Sequence, residues 1–169
     1  MGILYRLIAF IPLLVHAAFA AAVAEHLPGR LGMTVDAPGM DTTECLVGWA
    51  LLVGLCNLSF ILLYLKMPSF KDKTLALPGL PRNGLGPEIR EELVRRLRGV
   101  AETALLGMNV FFLAVFQAVY QANVAHPLIR FPAPVLLVGF MLVPLLLVAG
   151  HVGLTIHAVR GRSPDFGTM

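Results

Sequence analysis

Residues 45–65 read CLVGWALLVGLCNLSFILLYL, twenty-one positions without a charged side chain. As a helix this stretch rises about 30 Å, the thickness of a bilayer's hydrocarbon layer. Its flanks carry helix signals. Asp41, Thr42, Thr43 and Glu44 precede it and suit an N-cap with an acid three residues on. Tyr64 falls at the far end, where an aromatic ring favours the membrane–water boundary. Three further apolar stretches of similar length occupy residues 3–24, 101–123 and 135–159. The expected fold is an all-α integral membrane protein: a four-helix transmembrane bundle forming one domain over residues 1–160, with a disordered tail at 161–169.

Composition points the same way. Of 169 residues, 57% are hydrophobic and 14% charged, with a mean hydropathy of +0.80. A soluble domain of this size could not hide so much apolar surface from water. The first stretch contains Arg6, Pro12 and His16 and ends in an alanine-rich run. Its apolar length exceeds that of a leader peptide, so it reads as a retained span. Cys45 and Cys56 lie eleven residues apart on one helix, about 16 Å, too far to bridge. Without a metal-ligand spacing they read as packing residues.

Charge sets the orientation. The connection 66–99 holds Lys66, Lys71, Lys73, Arg82, Arg90, Arg95, Arg96 and Arg98. The connection before the second stretch is acidic, with Glu25, Asp36, Asp41 and Glu44 against Arg30. With both termini inside, eleven of the thirteen basic residues face the cytoplasm. The expected topology is N-in and C-in. Lys71, Lys73, Arg95, Arg96 and Arg98 are candidate contacts for anionic lipid head groups. Nucleic acid is a poor partner for a basic loop held against a bilayer.

Within 66–99, prolines and glycines deny regular structure to residues 67–86. Pro87 then opens a short amphipathic helix over 87–98, with Glu88, Glu91 and Glu92 early and Arg95, Arg96 and Arg98 late. Ile89, Leu93 and Leu97 make one apolar stripe. Two arrangements satisfy this pattern: a cytoplasmic helix lying on the membrane surface, or a helix continuous with the third span.

The third stretch is the most polar. At about 100° per residue, Glu102, Asn109, Gln117 and Gln121 fall on one face about 120° wide. Such a face turns away from lipid, because an unpaired amide in hydrocarbon costs several kcal/mol. It serves either interhelical hydrogen bonding or a polar pocket, the former favoured because amides do not titrate. Asn109, Gln117, Gln121 and, from the second stretch, Asn57 are the candidate ligand-binding residues. His16 and His151 offer a haem or quinone alternative, since counting from the cytoplasmic ends puts them within about 6 Å in depth. A buried neutral histidine bonded within the protein is the simpler reading of each. No HExxH, P-loop or GxSxG motif is present, and no paired acids lie inside the spans. The chain therefore reads as non-catalytic, with no cofactor and no metal site.

Leu27-Pro28-Gly29-Arg30 and Asp36-Ala37-Pro38-Gly39 lie between the first two stretches. Leu77-Pro78-Gly79, then Gly86-Pro87-Glu88 with Glu92 and Arg95, follow the second. The third ends in Gln121-Ala122-Asn123, with Pro127 after it. This order resembles a bacterial family of small membrane proteins of unknown function, which share the N-terminal domain of SdpI-type immunity proteins. Thr34-Val35 stand where that family has His-Phe, and its Asn–aromatic element is absent. The resemblance implies a place in a bacterial inner (cytoplasmic) membrane and the binding or sensing of a peptide there. A membrane-embedded binding, sensing or immunity-type protein is thus the leading expectation, with the acidic outer loop 25–44 suited to a cationic secreted peptide. The alternatives are an accessory subunit packed against a larger membrane-protein partner, and a haem- or quinone-binding redox protein.

Overall fold

The computed structural model describes residues 10–32, 39–71, 75, 86–127, 129–132 and 135–160. Helix α1, Ile11–Val23, opens with Pro12 in its first turn and passes into a single 3-10 turn, Ala24–His26. Strands β1, Arg30–Leu31, and β2, Met40–Asp41, pair antiparallel with Arg30 opposite Asp41 and Leu31 opposite Met40. A side chain at Gly39 would place its Cβ 2.9 Å from the Leu31 carbonyl oxygen, so this close approach requires glycine.

Helix α2, Thr42–Lys66, begins where the sequence signals it. The Asp41 carboxylate accepts from the backbone N–H of Thr43 at 2.8 Å and of Glu44 at 3.3 Å. The Thr42 hydroxyl donates to the Pro28 carbonyl, joining the helix start to the preceding loop. After α2 comes a 3-10 turn, Met67–Ser69, holding Pro68. Most of the remaining connection to residue 86, including Lys73, lies outside the described residues, as do residues 3–9 of the first stretch and the tail 161–169.

Helix α3, Pro87–Asn123, is continuous over 37 residues. At 1.5 Å per residue it is about 55 Å long, well beyond the hydrocarbon thickness. The amphipathic segment 87–98 is its first three turns and not a separate surface helix. The reason lies in what covers its apolar stripe. Ile89, Leu93 and Leu97 pack with Met67, Phe70 and Leu75 in one cluster, with Leu93 fully buried. Arg90 locks this cluster by donating to the carbonyls of Pro68 at 2.9 Å and Phe70 at 2.8 Å. The stripe that could have lain on a membrane is covered by the protein itself.

The fourth stretch starts as π-helix over Val135–Leu142 and becomes helix α4, Val143–Arg160. The change falls at Pro144, which lacks an N–H and whose ring crowds the carbonyl four residues back. Pro144 also sits against Gly107 of α3, where a Cβ would come within 2.9 Å of the proline Cβ.

Helix α3 is the hub, touching α1, α2 and α4. Gly99 and Gly107 of α3 meet His151 and Pro144 of α4, so these two helices run antiparallel. Asn57 and Trp49 of α2 meet Asn109 and Phe112 of α3, again antiparallel. His16 and Phe19 of α1 meet Phe116 and Tyr120 in ascending order, so α1 runs parallel to α3. Away from the hub the helices are oily: Leu51, Leu55, Leu145 and Leu154 are each more than 60% exposed. Leucines in such numbers are not stable facing water and are at home facing lipid tails. Three segments, Thr42–Ser69, Pro87–Asn123 and Val138–Ala158, are long and apolar enough to cross a bilayer. The chain is a mostly helical membrane protein.

Candidate functional site

The polar face of α3 is paired inside the protein. Asn57 and Asn109 exchange amide hydrogen bonds of 2.9 and 3.0 Å, and Asn57 also donates to the Val53 carbonyl. Gln117 donates to the Ile129 carbonyl at 2.7 Å. Gln121 both donates to the Phe131 carbonyl and accepts from its N–H, each at 3.1 Å. Asn123 does the same with Gly32, at 2.9 Å in both directions. Of the four residues singled out from sequence, only Asn57 and Asn109 come together. Gln117 and Gln121 lie further out and hold loop backbone. None of the four lines any of the cavities described below. This is a fastening face: the C-terminal end of α3 grips the β1 side of the connection between α1 and α2 and the start of the connection that follows α3.

His16 and His151 do not share a site. His16 packs on Phe116, ring centroids 5.0 Å apart, and accepts a 3.0 Å hydrogen bond from the Trp49 indole. His151 lies against Gly99 and bonds the Thr103 hydroxyl at 2.9 Å. Thr103 and Phe116 are thirteen residues apart on α3, about 20 Å. Two axial ligands of one haem sit on opposite faces of one iron, so joint ligation is ruled out by distance. Depth counted from the expected helix ends misplaces His151 because α3 begins at Pro87, well before the expected span, and α4 packs along that extension at Gly99.

Toward the N-terminal end of α3 lies a cavity of about 540 Å³ between α2, α3 and α4. Tyr64, Arg95, Arg98, Glu102 and His151 are among its walls. The Thr103 hydroxyl lies between two partners, the Gly99 carbonyl at 3.0 Å and the His151 Nδ1 at 2.9 Å. Glu92, almost buried, pairs with both Arg95 and Arg96, the latter at 2.6 Å. Arg98 lies with its guanidinium carbon 4.8 Å from the Tyr64 ring centre, and its buried Nε–H has no hydrogen-bond partner among the described residues. Of the proposed head-group contacts, Lys71 and Arg95 are exposed. Arg96 and Arg98 are half-buried, and Lys73 lies outside the described residues. An apolar slot of about 230 Å³ between α2 and α3 shares Tyr64 and Glu102 with this cavity.

A third cavity, about 380 Å³, opens between α1 and α2. His16, Trp49 and Phe116 form its aromatic side; Ala17, Ala20, Ala50 and Gly54 form its small-residue side. Trp49 as the partner of His16 is a contact that apolar patterning does not anticipate. A signal exists all the same: each lies seven residues from the helix end nearest the outer loop, so a helical hairpin brings them level.

Fold and cavities together define a helical membrane protein with loop backbone fastened at the C-terminal end of α3 and a charged cavity near its N-terminal end. No protein family model, curated protein or solved structure matches the chain.

Proposed function

We propose that this chain is a non-catalytic binding or sensing protein of the bacterial cytoplasmic membrane. In this reading it crosses four times, with both termini inside, and contacts a secreted cationic peptide at its outer end. The resemblance to the SdpI-type immunity domain belongs to the same proposal. The observation that carries it is the double clamp at the top of α3, where Gln121 holds the backbone of Phe131 and Asn123 holds that of Gly32. Clamped loops present a preorganised surface, and preorganisation lowers the ordering cost of binding. Glu25, Asp41 and Glu44 are exposed beside the first clamp and give it acidic character. The alternating direction of α2, α3 and α4, with α1 parallel to α3, supports an even number of crossings. The eleven basic residues that this topology puts inside support its sign.

Reconstituted in nanodiscs, the protein should bind a cationic peptide from its host's secreted fraction, and deleting its gene should raise sensitivity to that peptide. No binding to any fraction, with unchanged sensitivity, overturns the proposal. A second reading, an accessory subunit, is favoured by Gly48, which leaves open space on α2 where a neighbouring helix could approach closely. Stoichiometric copurification with a larger membrane protein would select it.

A further inference from the structure

Indole nitrogen is a donor only, so the hydrogen bond from Trp49 Nε1 to His16 Nε2 fixes the acceptor. An imidazole nitrogen that accepts carries no proton. The His16 proton therefore sits on Nδ1. His16 is 5% exposed and lies within the apolar part of the bundle, away from the charged inner end. Its Nδ1–H donates to none of the described residues, and it is not sealed in the packing as Arg98 Nε and Thr155 Oγ1 are, so it is open to a ligand; left unpaired in hydrocarbon such a donor is costly. The ring lines the 380 Å³ cavity between α1 and α2.

The cavity's other features limit what could satisfy that donor. Its volume falls in the range of small-molecule sites, roughly 300–1,000 Å³. Trp49 and Phe116 supply flat aromatic walls, and Ala50 and Gly54 leave the opposite side low. Leu14 and Leu51, the chain neighbours of the lining residues Leu13 and Ala50, are strongly exposed, as lipid-facing side chains are, so the slot lies in a lipid-facing part of the protein. A cation is disfavoured, because the histidine presents a proton and not a lone pair. A plain alkyl chain would fill the space and leave the N–H unpaired.

We propose that this slot binds a lipid-soluble, planar ring compound bearing a carbonyl, of the quinone class, with the carbonyl oxygen accepting from His16 Nδ1 and the ring stacked against Trp49 and Phe116. His16 alone provides the contact; His151 takes no part. The proposal concerns binding and is independent of the outer-face reading.

The chain's single tryptophan is the reporter. Purified full-length protein in nanodiscs is titrated with decyl-ubiquinone, and Trp49 fluorescence is followed. Saturable quenching is expected. Gly54→Phe fills the slot while leaving the His16–Trp49 pair, and should remove the saturable component. His16→Phe removes the donor and should weaken binding about tenfold, the worth of one well-placed hydrogen bond. Decane, a plain chain with no hydrogen-bond acceptor, should fail to compete. Linear quenching of equal slope in the parent and in Gly54→Phe overturns the proposal, as does equal competition by decane. So does a change in Trp49 emission with protein concentration alone, which would show a second copy occupying the slot. Thermal unfolding of each variant in detergent, required to match the parent, separates loss of the site from loss of the fold.

Discussion

Asn57 and Asn109 form a closed amide pair, each donating to and accepting from the other across α2 and α3. Both are about 95% buried or more. Replacing Asn109 with Leu should destabilise the protein by about 1–2 kcal/mol, because the Asn57 amide loses its partner in a dry contact. Asn57→Leu should cost a similar amount. The double replacement should cost clearly less than the two single effects combined, since neither amide of the pair is then left without the other. Reversible unfolding in mixed detergent measures all three; strict additivity would show that the pair is not coupled.

The outer clamps make separable predictions. Gln121→Leu removes both hydrogen bonds to Phe131, and Asn123→Leu removes both to Gly32. Amide hydrogen exchange should quicken at Phe131 in the first variant and at Gly32 in the second, by roughly ten- to a hundredfold for about 1.5–3 kcal/mol of lost local stability. The backbone of α2 should be unchanged in both. Equal acceleration at both sites in either variant would mean that the two connections move as one unit.

These contacts also show where sequence reasoning reaches and where it stops. Apolar length alone exposes the helical stretches, and Asp41 announces the start of α2, because capping is a local hydrogen bond between neighbours in sequence. The polar face of α3 is legible as inward-facing, because lipid tolerates no alternative. What it faces is not. Gln121 meets backbone ten residues on, and Asn123 meets Gly32 ninety-one residues away. Neither partner differs chemically from any other peptide group. The unity of α3 is ambiguous for a related reason: the stripe of Ile89, Leu93 and Leu97 suits a membrane surface or a protein cover equally well. Its cover comes from Met67, Phe70 and Leu75, in a connection whose composition predicts little regular structure. The histidine depths fail because a count along the chain needs a fixed origin, and the inward extension of α3 moves it.

Glycines on α3 should behave unlike those on α2. A Cβ at Gly107 would lie 2.9 Å from the Cβ of Pro144, part of a ring that cannot swing aside. Gly107→Ala should push α4 away and destabilise the protein by about 1–3 kcal/mol, the usual range for overpacking. At Gly48 a Cβ meets nothing within 4 Å. Gly48→Ala should stabilise α2 by about 0.5–1 kcal/mol through helix propensity. Melting temperatures measured in one detergent decide this, and a destabilised Gly48→Ala would indicate that a second helix already covers that face.

The direction of the chain across the membrane is open to a test that does not depend on any ligand. Single cysteines can be placed at Gly29, Arg130 and Arg95 in a background with Cys45 and Cys56 replaced by alanine. A Cβ at Gly29 would meet no atom within 4 Å, and Arg130 and Arg95 are exposed, so all three sites should tolerate the change. In intact spheroplasts a charged, impermeant maleimide should modify positions 29 and 130 and spare position 95. Position 95 should react only after lysis. The pattern follows from energy: drawing the basic first turns of α3 across the bilayer would carry Arg90, Arg95, Arg96 and Arg98 through hydrocarbon at about 2.5–3.5 kcal/mol each. Modification of position 95 from outside would invert the orientation. It would also place the charged cavity around Arg98 and His151, not the clamped loops, at the outer surface.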